Sequence, residues 1–264
     1  MIEALKHAEF SDKKQWWLGV RPGDLPERVI LTLLIDIKPN VFARQMEDWT
    51  HLAGDTEYQA YRGSYKGMDV GVVYAGSGAY SVTTAIDELA RLGIKVMVRY
   101  ANSGGLSDEV NVGDYCVTTG CIRNERVLLD YIPAEYPAIA DRHLVDAMLA
   151  ASQEAGFPTH EGLTLTVSSF YPGSGFPTPR GVMDEEVLRK VQLFIRSGAM
   201  NIDGETSTLM VLGQLYGIRA GALLTVGNHL TKGEGDYITG QDDLVRTGLE
   251  ALLKDKLRTE NDAV

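Results

Sequence analysis

The chain has 264 residues, of which 44% are apolar and 23% charged, and it carries a formal net charge of −11. That length suits one large α/β domain, or two small ones, with a sizeable core. The acidic balance excludes a general nucleic-acid surface, because a phosphate backbone demands a basic face, but it leaves room for a small anionic substrate in a local positive pocket.

In chain order, residues 29–35 form a continuous apolar run that predicts a buried strand, and residues 41–51 suggest a helix. Residues 61–74 alternate around Lys66-Gly67 and predict a hairpin turning there. The second arm runs into Gly76-Ser77-Gly78-Ala79, and a helix over 81–92 follows, with apolar Val82, Ala85, Ile86, Leu89 and Ala90. A strand over 94–100 leads to a polar turn, Asn102-Ser103-Gly104-Gly105. Further strands are predicted at 115–121, 163–169 and 220–226, and helices at 144–155, 185–197, 206–216 and 244–257. Residues 171–180 form a loop rich in Pro and Gly. With no repeat, low-complexity segment or linker, residues 1–264 read as one domain. Strands alternating with helices predict a largely parallel sheet covered by helices, with binding residues at the strands' C-terminal ends.

Cys116 and Cys121 have no partner cluster, which favours reduced buried thiols over a zinc site or disulfide framework. Residues 1–14 lack the apolar stretch of a signal peptide, and no apolar run approaches a membrane span, so a cytoplasmic location is expected. Phe10, Trp16 and Trp17 in that region suit either a subunit contact or ordinary internal packing.

Four groups of residues carry possible chemistry. Asp203 and Glu205 stand at the mouth of an apolar helix, where they serve either as caps or as ionised acceptors for a vicinal diol. The Gly76 to Ala79 turn is either a tight connection or a close approach to an anion at a helix N-terminus. Arg99, inside a buried strand, must be paired or used: an ion pair with Asp87, Glu88 or Asp203, or an oxyanion pocket with the amides that follow it. Asn228 offers a donor and an acceptor to a heterocycle, and the neighbouring His229 is either structural or a proton donor.

The order of these pieces is the strongest signal. Added to them are Ile86-Asp87-Glu88-Leu89-Ala90-Arg91-Leu92-Gly93, Val112-Gly113-Asp114, Tyr136-Pro137-Ala138-Ile139-Ala140-Asp141 and Ser168-Ser169-Phe170-Tyr171-Pro172-Gly173. In this order they resemble the nucleoside phosphorylase-I family, especially its uridine phosphorylase and hexameric purine nucleoside phosphorylase branches. The resemblance implies a three-layer α/β/α sandwich with a mixed, partly barrel-like central sheet. It implies a homo-oligomer, a dimer or trimer of dimers, with a shared active site. It also implies phosphate-dependent cleavage of a nucleoside to base and (deoxy)ribose 1-phosphate, with phosphate as co-substrate and neither cofactor nor metal.

By position, the resemblance gives Arg99, Glu205 and Asn228 catalytic roles. Phosphate would be bound by Arg99, Asn102 and Ser103, and ribose by Glu205 and Gly204. The base would meet Ser103, Gly104, Phe170, Ile202, Asp203 and Asn228. This chain departs from the family where its early phosphate loop belongs: the place reads Leu34-Ile35-Asp36-Ile37, with Ile35 for the glycine and Pro39 for an arginine. The arginine lent by a neighbouring subunit aligns near Thr56, with Arg44 and Arg62 as nearby substitutes. Ser174 and Phe176 replace the Gln and Arg that read uracil, Asn228 replaces the Asp of the purine branch, and Gly204 replaces a Met. A hydrolytic nucleosidase and a non-catalytic nucleoside-binding homologue are the alternatives.

Overall fold

The computed structural model describes residues 14–235 and 240–262. Ten strands are present among them: β1 (Arg28–Leu33), β2 (Glu47–Ala53), β3 (Gln59–Tyr65), β4 (Met68–Ala75), β5 (Val96–Gly105), β6 (Tyr115–Asn124), β7 (Ala138–Ile139), β8 (Thr159–Val167), β9 (Ala199–Asp203) and β10 (Arg219–His229). The α-helices are α1 (Pro39–Ala43), α2 (Ala79–Arg91), α3 (Arg142–Ala155), α4 (Asp184–Arg196), α5 (Thr206–Tyr216) and α6 (Gln241–Asp262). Phe10 lies outside the described residues; Trp16 and Trp17 are exposed.

β5 organises the sheet. It pairs in parallel with β1 and β10 and antiparallel with β9. β10 continues to β6, β6 to β8 and β8 to β9, so these five strands close into a barrel. From β5 the open half runs β1, β4, β3, β2. The sheet is therefore mixed rather than largely parallel. The short connections of the β2–β3–β4 meander permit only antiparallel pairing. At the β3–β4 turn, Lys66 and Gly67 both take positive φ (48° and 78°), the twist-matched hairpin geometry.

Helix α2 buries Val82, Ala85, Ile86 and Leu89 along one stripe and packs beside α5. α3 packs on α6. Its N-terminus is capped by the Asp141 carboxylate, which accepts the Leu144 N–H at 3.1 Å, and its C-terminus ends at left-handed Gly156. The main core runs through β1, β4, β5 and β10. A smaller cluster of Leu106, Leu165, Val167, Val191, Ala199 and Ile202 lies between β8, β9 and α4. Cys116 and Cys121 are free thiols, and burial pushes both above the ordinary thiol value.

Two further sequence expectations are corrected, and one strand is added. The helix over 41–51 is only the five-residue α1, followed by β2. Asp48 takes φ 52°, which no helix continues through, and Trp49 stacks between Phe42 and Tyr61 at 6.1 and 4.9 Å. The polar stretch Asn102 to Gly105 is strand, not turn, because β10 and β9 supply partners that the preceding residues cannot. β9, absent from the sequence reading, is five buried residues that complete the barrel.

Candidate active site

A cavity of about 610 Å³ opens where the C-terminal ends of β1, β5, β8 and β9 meet β10. Asn102, Ser103 and Gly104 line it from β5, Ile202, Asp203, Gly204 and Glu205 from β9 and the start of α5, Phe170 from the loop after β8, and Asn228 from β10. These are all the sequence-predicted site residues except Arg99. Among the described residues, no Lys, Arg or His lines the cavity.

Arg99 lies directly behind this wall, 2% exposed. Its Nη2 donates to Glu205 Oε2 at 2.6 Å and to Asp36 Oδ2 at 3.3 Å, and its Nε to Asp203 Oδ2 at 3.4 Å. A buried guanidinium is tolerable only with such compensation. Of the ion-pair partners considered from sequence, Asp203 is the one found. Asp87 instead accepts the hydroxyls of Tyr131 and Tyr216, and Glu88 takes the N–H groups of Trp17 and Leu18.

Of the two carboxylates of the Asp203-Gly204-Glu205 motif, only Asp203 caps the helix. Asp203 accepts the Thr206 N–H at 3.0 Å and the Thr166 hydroxyl at 3.0 Å, which starts α5. Glu205 makes no cap hydrogen bond of its own; it accepts the Gly78 N–H at 2.8 Å across the cavity mouth. Burial pushes its carboxyl above the usual value, while Arg99 opposes that rise. The Gly76 to Ala79 turn thus supplies an amide to a carboxylate of the chain itself.

A register shift between Val226 and Asn228 interrupts the β10–β5 ladder. Such a bulge re-aims the next side chain, and here Asn228 reaches the cavity. His229 is turned away: its Nδ1 accepts the Lys232 N–H at 3.2 Å, so Nε2 carries the proton donated to Ser107 O at 3.0 Å. It is structural. The Ser103 hydroxyl donates to Thr225 O at 3.3 Å and accepts from Asn201 Nδ2 at 2.9 Å, which fixes it in a buried polar chain continued by Thr164.

A Cβ on Gly104 would collide with Leu230 Cδ1 and approach Ile202 Cγ2 at 3.0 Å. Gly104→Ala is therefore expected to push Leu230 into the cavity, lowering stability by about 1–3 kcal/mol and weakening ligand binding. A thermal melt with a ligand titration checks both.

Phe170 stands half-exposed on the wall, 6.0 Å from Phe176 in a stacked pair and edge-on to Tyr171. Ser77, Ile35, Ser174 and Phe176, from segments that the resemblance or the glycine turn had marked, also line the cavity, as does Leu230, which the sequence had not singled out. Asp36, noted from sequence only as a departure from the family's phosphate loop, joins Asp203 and Glu205 around Arg99 behind the wall. Arg44 pairs with Asp242 and Arg62 lines a separate cleft with Asp24, Asp48 and Asp69, so neither lines the cavity among the described residues.

α/β enzymes take small molecules in cavities at strand C-termini, and this cavity has that position, with an aromatic wall and buried carboxylates. The chain belongs to the phosphorylase superfamily, whose family model matches residues 40–254. It is similar to the uridine phosphorylase of Escherichia coli, at 32% identity over 79% of each chain. The uridine phosphorylase of Thermococcus kodakarensis is 29% identical over 86% of this chain and 82% of its own length. The crystal structure of uridine phosphorylase from Vibrio fischeri superposes with a TM-score of 0.77, at 24% identity, covering 92% of this chain and 98% of that one, which establishes the shared fold.

Proposed function

We propose that the chain is a nucleoside phosphorylase: inorganic phosphate cleaves the N-glycosidic bond of a nucleoside, giving free base and ribose or deoxyribose 1-phosphate. The observation that carries this reading is Glu205, a carboxylate on the cavity wall held by Arg99 and the Gly78 amide, facing a cavity with an aromatic wall. Similarity to uridine phosphorylases supports it.

In the reaction a phosphate oxygen bonds to the anomeric carbon while the C–N bond breaks. The electron pair stays on the base nitrogen, which then gains the proton that hydrogen phosphate gives up. Glu205 accepts hydrogen bonds from the ribose hydroxyls beside Gly204, and its charge favours the oxocarbenium character of the transition state. Arg99, Asn102 and Ser103 serve the phosphate. Phe170 packs on the base, with Ser103, Gly104, Ile202 and Asp203 around it, and Asn228 hydrogen-bonds the departing ring. The reading takes the chain as one domain needing no cofactor or metal. It places the enzyme in the cytoplasm, in nucleoside salvage, as a dimer or trimer of dimers with a shared site. Among the described residues no helix is long and apolar enough to cross a membrane.

A product assay over purine and pyrimidine nucleosides, each with and without phosphate, tests it. The expected result is base release that requires phosphate, with the sugar 1-phosphate formed. Base release without phosphate makes the chain a nucleosidase, and binding without release makes it a binding protein.

A further inference from the structure

We infer that Asp36 is a built-in anion occupying the donors on which phosphate binding depends, so that phosphate enters only in exchange for it. The inference rests on the phosphorylase reading for the identity of the physiological anion.

Asp36 follows β1 and is 1% exposed. Its Oδ2 takes Arg99 Nη2 at 3.3 Å, and its Oδ1 takes the Asn102 N–H at 3.3 Å. A guanidinium and a backbone amide are what an incoming oxyanion would use. Among the described residues, the cavity lining supplies no cation in their place. Three carboxylates, of Asp36, Asp203 and Glu205, already face the one guanidinium, so a further dianion meets net repulsion while all three are ionised.

The geometry lets the carboxyl leave without unfolding the loop. The Asp36 main-chain carbonyl is held by Asn102 Nδ2 at 3.3 Å and by the side-chain amide of Gln241, so the main chain stays anchored while the side chain alone turns away from Arg99 Nη2. Among the described residues, the charged groups that face Asp36 are Arg99 from β5, Asp203 from β9 and Glu205 at the start of α5; α6 contributes only the uncharged Gln241. Burial, with help from Glu205 and Asp203, pushes the Asp36 carboxyl up to about 7, against Arg99 and the Asn102 amide. A proton taken up near neutrality therefore cancels the competing charge. Below that point the donors are open to an anion; above it Asp36 keeps them.

Sulfate tests this apart from turnover, because it stays dianionic near neutrality and any pH effect belongs to the protein. Calorimetric titration of the full chain with sulfate, at about pH 6 and about pH 8, is compared with Asp36→Asn and Asp36→Ser. Wild type is expected to lose about tenfold in affinity per pH unit above the Asp36 titration. The variants are expected to bind at least about tenfold more tightly at the higher pH, with little pH dependence, and the KM for phosphate should fall in parallel. Binding by both variants equal to or weaker than wild type at the higher pH, or an unchanged pH dependence, overturns the inference, as does the absence of sulfate binding in all three. Sulfate binding that behaves as expected without phosphate-dependent cleavage keeps the inference and removes the phosphorylase reading. Phosphate-dependent cleavage indifferent to Asp36 does the reverse.

Discussion

Replacing Glu205 with alanine is expected to lower kcat/KM for the nucleoside by about three orders of magnitude while the chain stays folded. The side chain is the cavity carboxylate nearest to Arg99, and in the proposed reaction its loss removes both the acceptor for the ribose hydroxyls and a negative charge beside the cationic transition state. Stability survives because Arg99 keeps Asp36 and Asp203, and because one of three buried carboxylates sharing a single guanidinium is removed. Steady-state kinetics with a thermal melt separate the two effects. A variant of unchanged activity would move the ribose site elsewhere in the cavity.

Arg99→Ala carries the opposite balance. It strands Asp36, Asp203 and Glu205 without their counter-charge, and removal of one partner from a buried ion pair costs about 3–5 kcal/mol. The sign of the pH dependence follows from the carboxyls. Burial already holds Asp36 and Glu205 above their unfolded values, and losing Arg99 raises them further. The folded variant then binds more protons than the unfolded chain, so its stability falls as pH rises through that window. Urea midpoints are expected to show a deficit at about pH 8 that shrinks at about pH 5.5. Equal deficits at both would show that Arg99 is not the counter-charge of this cluster.

Much of this site was legible before any coordinates. Helix α5 occupies residues 206–216, as expected from the acidic pair at its mouth and the apolar run that follows, because both signals are local. The order of Asn102, Ser103, Gly104, Phe170 and Asp203-Gly204-Glu205 along the chain led to residues that the fold gathers around one cavity. Arg99 was read as either an ion pair or an anion ligand. The fold sets it in an ion-paired cluster one layer behind the cavity wall, and its anion role is a proposal.

What escaped notice depended on distant partners. β9 contains Asn and Asp and is too short for a periodicity signal; its strand character comes from β8 and β5. The extension of β5 through Asn102 to Gly105 depends on β10, more than a hundred residues later. Asp36 looked like a broken loop motif, since nothing within its own stretch shows that its carboxylate meets Arg99 and the Asn102 amide.

The branching of β5 has a consequence for biosynthesis. Its barrel neighbours β9 and β10 are made last among the strands, after Arg99, Asp36 and Asn102 have long been translated. Pairings of such sequence separation form slowly. Until residue 205 has emerged from the ribosome, Arg99 lacks two of its counter-charges, and until His229 follows, the edge of β5 that pairs with β10 has no partner. A nascent chain stalled before β10 should therefore expose that edge, and chaperone engagement should end when β10 is released.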